Sequence, residues 1–139
     1  MSSEPEHLGW LIKRIQHRHH GALNKKLAPL CLSLVQWNAL REIERNPGCS
    51  QHQLAELTFN SDQAFGTLLS RLQAADMIEQ RAGLGRAQVH RLTAHGKAQL
   101  RAGQKIMSAV TNASFNGLDD RERETLANLL SKVLDVPRE

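Results

Sequence analysis

Tyrosine is missing from this chain of 139 residues, and only two cysteines, Cys31 and Cys49, are present. Two thiols are too few for a disulfide framework. The N-terminus lacks an apolar run of signal-peptide type, and no stretch approaches a membrane span. Internal repeats and low-complexity segments are absent as well. These absences predict one soluble, cytoplasmic domain with no membrane partner, long enough to bury a core and, if all-helical, to complete that core by dimerising.

Catalytic arrangements are also lacking. No pair of acids shares a plausible cleft, no Ser/His/Asp order stands out, and neither cysteine has an adjacent base. An enzyme is therefore the weakest class, and no cofactor is expected. Gly83-Leu84-Gly85-Arg86 invites a phosphate-loop reading. Such a loop needs a helix N-terminus directly after it, whereas here a second strand-like run, Ala87–Leu92, follows. A hairpin tip is the better reading, with glycines at its positive φ angles.

The last absence concerns charge. Lys and Arg outnumber Asp and Glu by only 18 to 14, yet no acid occurs from Gln80 to Leu118. That span carries Arg81, Arg86, Arg91, Lys97, Arg101 and Lys105, with His90 and His95. A one-signed segment in an otherwise balanced chain points to a polyanion or to a solvated face.

What is present is mostly helical periodicity. Leu8, Leu11, Ile12, Ile15, His19, Ala22, Leu23 and Leu27 form one stripe, predicting a helix over 6–28 that Pro29 ends. A second helix opens near Ser33, carries Trp37, Leu40 and Ile43, and stops at Asn46-Pro47-Gly48. Ser50 with Gln53 reads as a capping box before a short helix over 51–57. Asn60 or Ser61 then caps a longer one, to about Ala75, with Phe65, Leu68, Leu69 and Leu72 inward. Met77–Arg81 and Ala87–Leu92 are candidate strands joined by the glycine link. After Thr93 a helix runs to about Ala113, with Ala94, Ala98, Ala102, Ile106, Val110 and Ala113 as a seam of mostly small residues. A last amphipathic helix begins at Asp119, with Glu122 at the capping-box position and Leu126, Leu129, Leu130, Val133 and Leu134 on one side.

Two short helices joined by a tight turn, followed by a hairpin, make a winged helix-turn-helix. The second helix of the pair enters the major groove, and the hairpin reaches along the backbone. The fold class expected is thus mainly α, with a two-stranded wing. Sequence-specific binding of double-stranded DNA is the leading function. A winged helix that binds proteins is the rival, which the basic wing disfavours.

At this point the residues resemble a family. Leu34-Val35-Gln36-Trp37, then Leu54-Ala55-Glu56-Leu57, Ser70-Arg71-Leu72 and a wing ending Arg91-Leu92-Thr93-Ala94-His95-Gly96 are similar, in order and spacing, to the MarR family of bacterial transcription regulators. The resemblance implies a homodimer, usually a repressor on a near-palindromic operator. Residues 6–30 and 93–136 would form the dimerisation helices and 33–92 the winged lobe. On this footing the DNA-contacting candidates are Gln63 for bases, Ser61, Thr67, Ser70 and Arg71 mostly for phosphates, and Arg81, Arg86 and Arg91 on the wing. The chain departs from the family at Leu84, where the wing usually has an acid. It departs again at Gly66 and Thr67, where a Ser or Thr followed by Arg is common. Gly66 weakens its helix by roughly 0.5–1 kcal/mol relative to Ala.

Three sets of residues offer a second role. His17 and His20 are i, i+3 neighbours, but no further ligand lies nearby in sequence, so no metal is assigned. Cys31 and Cys49 flank the second helix; a buried unreactive thiol is the simpler reading, and thiol-based redox sensing the alternative. Members of the family often bind a small aromatic or phenolic effector. The resemblance places Trp10, Arg14, His17, Trp37 and Arg41 as its lining, with core packing the competing role for Trp37.

Overall fold

The computed structural model describes residues 4–82 and 88–135. Helix α1 spans Pro5–Leu27, α2 Leu34–Arg45, α3 Gln51–Leu57 and α4 Asp62–Ala74. Strands β1 (Ile78–Ala82) and β2 (Gln88–Leu92) follow, then α5 (Ala94–Phe115) and α6 (Asp120–Leu134). Arg86 and the rest of Gly83–Ala87, on which the hairpin-tip reading rests, lie outside the described residues.

Each boundary has a local cause. Ser33 and Ser50 complete capping boxes with Gln36 and Gln53, and Asp119 does so with Glu122. Ser61 accepts from the Ala64 amide and Thr93 from the Gly96 amide, as N-cap oxygens do. Pro29 does not itself end the first helix. That helix stops at Leu27, and Pro29 sits inside a single 3-10 turn, Ala28–Leu30, where its missing N–H goes unmissed. The three non-glycine residues with positive φ, Cys31, Phe59 and Asp76, each stand at a reversal between elements.

The core lies under the winged lobe. Leu23 and Leu27 from α1 meet Trp37, Leu40 and Ile43 of α2, Phe65, Leu69 and Leu72 of α4, Ile78 and Leu92 of the sheet, and Leu100 of α5. The strands pair antiparallel with Ile78 opposite Leu92, Glu79 opposite Arg91 and Gln80 opposite His90. Strand alternation thus puts Ile78, His90 and Leu92 on the core side and Glu79, Arg81 and Arg91 outward.

The small-residue seam expected on the fifth helix meets the core only in part, through Val110 and Ile106. Ala94, Ala98 and Ala113 are exposed, while Gly96, Leu100, Gly103 and Val110 are buried. Close approach happens at the two glycines. A Cβ at Gly96 would stand 1.9 Å from the Met77 carbonyl oxygen, and one at Gly103 would stand 2.2 Å from the Trp37 indole. Close approach to the Met77 backbone just before β1 and to the Trp37 indole of α2 selects these positions, and a count of alanines does not reveal it.

Candidate nucleic-acid interface and effector cavity

Helices α3 and α4 form the helix-turn-helix. Asn60 shapes its turn: its backbone amide donates to the Ala55 carbonyl at 2.9 Å and its side chain to Thr58 Oγ1 at 2.9 Å. Phe65, Leu68, Leu69 and Leu72 anchor one side of α4 in the core. The opposite side presents Gln63, Thr67, Ser70 and Arg71, all exposed, at i, i+4, i+7 and i+8. Thr67 and Ser70 donate to the carbonyls of Gln63 and Gly66, at 3.2 and 3.1 Å. Arg71 has no acidic partner among the described residues. Ser61 is exposed but already engaged as the helix cap.

The wing's cations are differently placed. Arg91 pairs with Glu79, its cross-strand neighbour, and Arg81 approaches the same carboxylate at 3.5 Å. Farther along the acid-free span, Arg101 makes two bonds to Glu44 of α2, at 2.9 and 3.1 Å. The span lacks acids of its own, yet two acids from outside it, Glu79 and Glu44, pair with Arg81, Arg91 and Arg101 and offset two of those three charges. His90 is not part of a basic surface either. It is 8% exposed, its Nδ1 has no hydrogen-bond partner, and burial pushes its pKa down, which favours the neutral ring. Charge counting alone therefore overstated the positive field of this segment.

Next to the helix-turn-helix, His52 of α3 is held between two carboxylates. Its Nδ1 lies 2.9 Å from Asp62 at the start of α4, and its Nε2 lies 3.1 Å from Glu56. The hydrogen bond and charge of Asp62, then the charge of Glu56, raise its pKa. The linear pattern signals only the Glu56 half of this staple, at i+4, because Asp62 lies ten residues away on another helix.

Within one chain, the five residues expected around an effector do not share a cavity. Trp10, Arg14 and His17 surround a shallow hollow of α1 with Lys13 and Arg18. Trp37 is 1% exposed and lies against Gly103 in the core. Its Nε1 donates to the Leu100 carbonyl at 3.1 Å, and the Arg41 guanidinium sits 5.1 Å above its ring. A cavity of about 600 Å³ does lie between α1, α2, the helix-turn-helix turn and the end of α5. Ile12, Ile15, Val35, Phe59 and Phe115 line it, with Gln16, His19, His20 and Asn38 among its polar groups. His19 meets Ser114 Oγ at 2.6 Å and packs edge-on against Phe115. Among the described residues, no three His, Cys, Asp or Glu side chains are grouped to hold a metal ion. Cys31 is exposed and Cys49 half-buried, both free thiols.

An open apolar surface completes the picture. Leu8, Trp10, Leu11, Ile12 and Ile15 on α1 and Leu129, Leu130, Val133 and Leu134 on α6 are all exposed.

Comparison with known proteins agrees with this architecture. Residues 32–88 match the MarR family. The chain is 27% identical over 128 residues to the HTH-type transcriptional repressor Rv2887 of Mycobacterium tuberculosis, covering 91% of this chain and 92% of that protein. The solved complex of the M. tuberculosis MarR family protein Rv2887 with DNA superposes with a TM-score of 0.75 at 25% identity, covering 91% and 96% of the two chains. The same protein in complex with p-aminosalicylic acid gives 0.76 at 26%, covering 91% and 97%. A mutant MarR from E. coli complexed with operator DNA shares the fold with a TM-score of 0.83 at 23% identity, over 94% of each chain. With the helix-turn-helix, the wing strands and the flanking helices in this order, residues 32–88 match the MarR family model and the chain is similar over most of its length to MarR family proteins.

Proposed function

We propose that this protein is a homodimeric transcription repressor that binds a near-palindromic double-stranded DNA site. The observation that carries the reading is α4. Its apolar stripe is locked in the core while Gln63, Thr67, Ser70 and Arg71 face solvent as one uninterrupted polar stripe. Gln63 supplies base-edge hydrogen bonding, and Ser61, Thr67, Ser70 and Arg71 supply phosphate contacts. Arg81, Arg86 and Arg91 extend the contact along the wing. Residues 33–92 form the DNA-binding lobe. The flanking parts, 6–30 and 93–136, hold two copies together, burying the apolar faces of α1 and α6 that one chain leaves in water. Two-fold symmetry then sets the recognition helices about one DNA turn apart.

The relatives' complexes with DNA and with p-aminosalicylic acid support both a DNA partner and a small aromatic effector. The cavity lined by Ile12, Ile15, Val35, Phe59 and Phe115 is the better place for that effector than the set around Trp10 and Trp37. Its volume suits an aromatic acid, and it touches both the dimerising helices and the helix-turn-helix.

Selection of bound DNA from a random pool, followed by gel shift, tests the reading. The expected result is a two-fold symmetric site with half-site centres about 10 base pairs apart. Failure to retain duplex DNA at low salt would overturn it and favour a protein-binding winged helix.

A further inference from the structure

A glycine in the middle of a recognition helix needs a reason, because almost any residue with a side chain would hold the helix better. The reason lies on α3. A Cβ built on Gly66 would stand 3.1 Å from Gln51 Nε2, so the Gln51 side chain fills the space that a side chain at 66 would take. The next residue, His52, reaches the same helix one turn earlier, with Nδ1 2.9 Å from Asp62. Asp62 and Gly66 are i, i+4 neighbours, so the first two residues of α3 run along one row of α4. That row continues to Ser70, whose hydroxyl donates to the Gly66 carbonyl, and adjoins the one carrying Gln63, Thr67 and Arg71.

Gln51 is exposed, and its carboxamide has no hydrogen-bond partner among the described residues. We propose that Gln51 is a DNA-contacting residue, its carboxamide laid over the recognition helix through the gap at Gly66. In a helix-turn-helix the first helix crosses the backbone while the second enters the groove. A side chain that begins on the first and rests on the second stands where those two surfaces meet. A primary amide brings two donors and one acceptor, which suit an adenine edge or, through the donors alone, a phosphate. The proposal rests on the DNA-binding reading above. It adds a contact from α3 and gives Gly66 the role of making room for it.

The test is a double-mutant cycle on the full-length protein and its selected DNA site, with affinity and thermal midpoint measured for each variant. Gln51→Ala lowers affinity about fivefold or more, with an unchanged melt. Gly66→Ala also lowers affinity, because the carboxamide must move by a few tenths of an ångström, while its melting midpoint does not fall. In the Gln51→Ala background, Gly66→Ala has no further effect. Loss confined to one base pair per half-site identifies a base contact; equal loss at every sequence identifies a phosphate. If wild type binds and Gln51→Ala binds equally well, the proposal is wrong. The same follows if Gly66→Ala weakens binding fully in both backgrounds, since the glycine then serves the approach of the DNA itself. If wild type binds no DNA, the functional reading fails first and takes the proposal with it.

Discussion

The winged lobe and the two ends of the chain solve the burial problem in different ways. Around Trp37 the lobe is closed. The indole lies against Gly103, donates to Leu100 and is roofed by Arg41, while Leu40, Phe65 and Leu72 around it are buried. At the ends the amphipathic pattern is just as clear, yet among the described residues nothing covers it. Leu129 is 57% exposed, Val133 66% and Leu134 83%, and none of α6 is buried. Local sequence makes both regions helical. A region becomes self-sufficient only when its apolar stripe finds a partner in the same chain. On the reading proposed above, a second copy supplies the surface that the ends lack.

Trp37→Ala gives the largest effect that would break this contrast. It removes a fully enclosed side chain and its hydrogen bond, and should cost about 3–5 kcal/mol in chemical denaturation. A loss below about 1 kcal/mol would show that the lobe is packed as loosely as the ends. Next comes removal of α6 by ending the chain at Leu118. Sedimentation should then show a monomer or an aggregate, and a well-folded dimer from that truncation would contradict the proposed role of the ends. The paired change Leu130→Ser and Val133→Ser sharpens the point, because exposed positions cost a monomer little while weakening dimerisation several-fold.

Charge provides a smaller contrast, between α4 and the wing. Arg71 has no acidic partner among the described residues, so Arg71→Ala should flatten the slope of log affinity against log salt by about two units, one per subunit. Arg91 already has Glu79 as its counterion. Arg91→Ala should therefore change the slope by less than Arg71→Ala does, and equal changes would mean that the Glu79 pair opens on DNA.

The smallest effect separates two histidines of opposite sign. Burial lowers the pKa of His90 below its ordinary 6.5. The unfolded chain then takes up the proton more readily, so stability is complete above about pH 6.5 and declines as pH falls below it. His90→Phe, which also removes an unpartnered nitrogen, should flatten that acid limb in thermal melts. For His52 the acids around it raise the pKa. Its contribution is complete below 6.5 and fades as pH rises through the folded value, a shallow change because the group is fully exposed. An acid limb that survives His90→Phe would place the titrating group elsewhere.

The helices, their caps and the order of the winged lobe were legible in the sequence because they depend on neighbours within four residues. Ser33, Ser50, Ser61, Thr93 and Asp119 cap their helices through amides three positions away. The spacing of Phe65, Leu68, Leu69 and Leu72 likewise settled which side of α4 faces outward. Only the tertiary structure decided what each polar group meets. It brought Glu79 and Glu44 onto the acid-free span, turned His90 inward by strand alternation, and put Trp37 in the core, away from Trp10. It also matched Gly66 with Gln51, fifteen residues earlier in the chain and one helix away. Periodicity assigns a residue to a face, but the partner on that face comes from an element at a distance that no local pattern encodes.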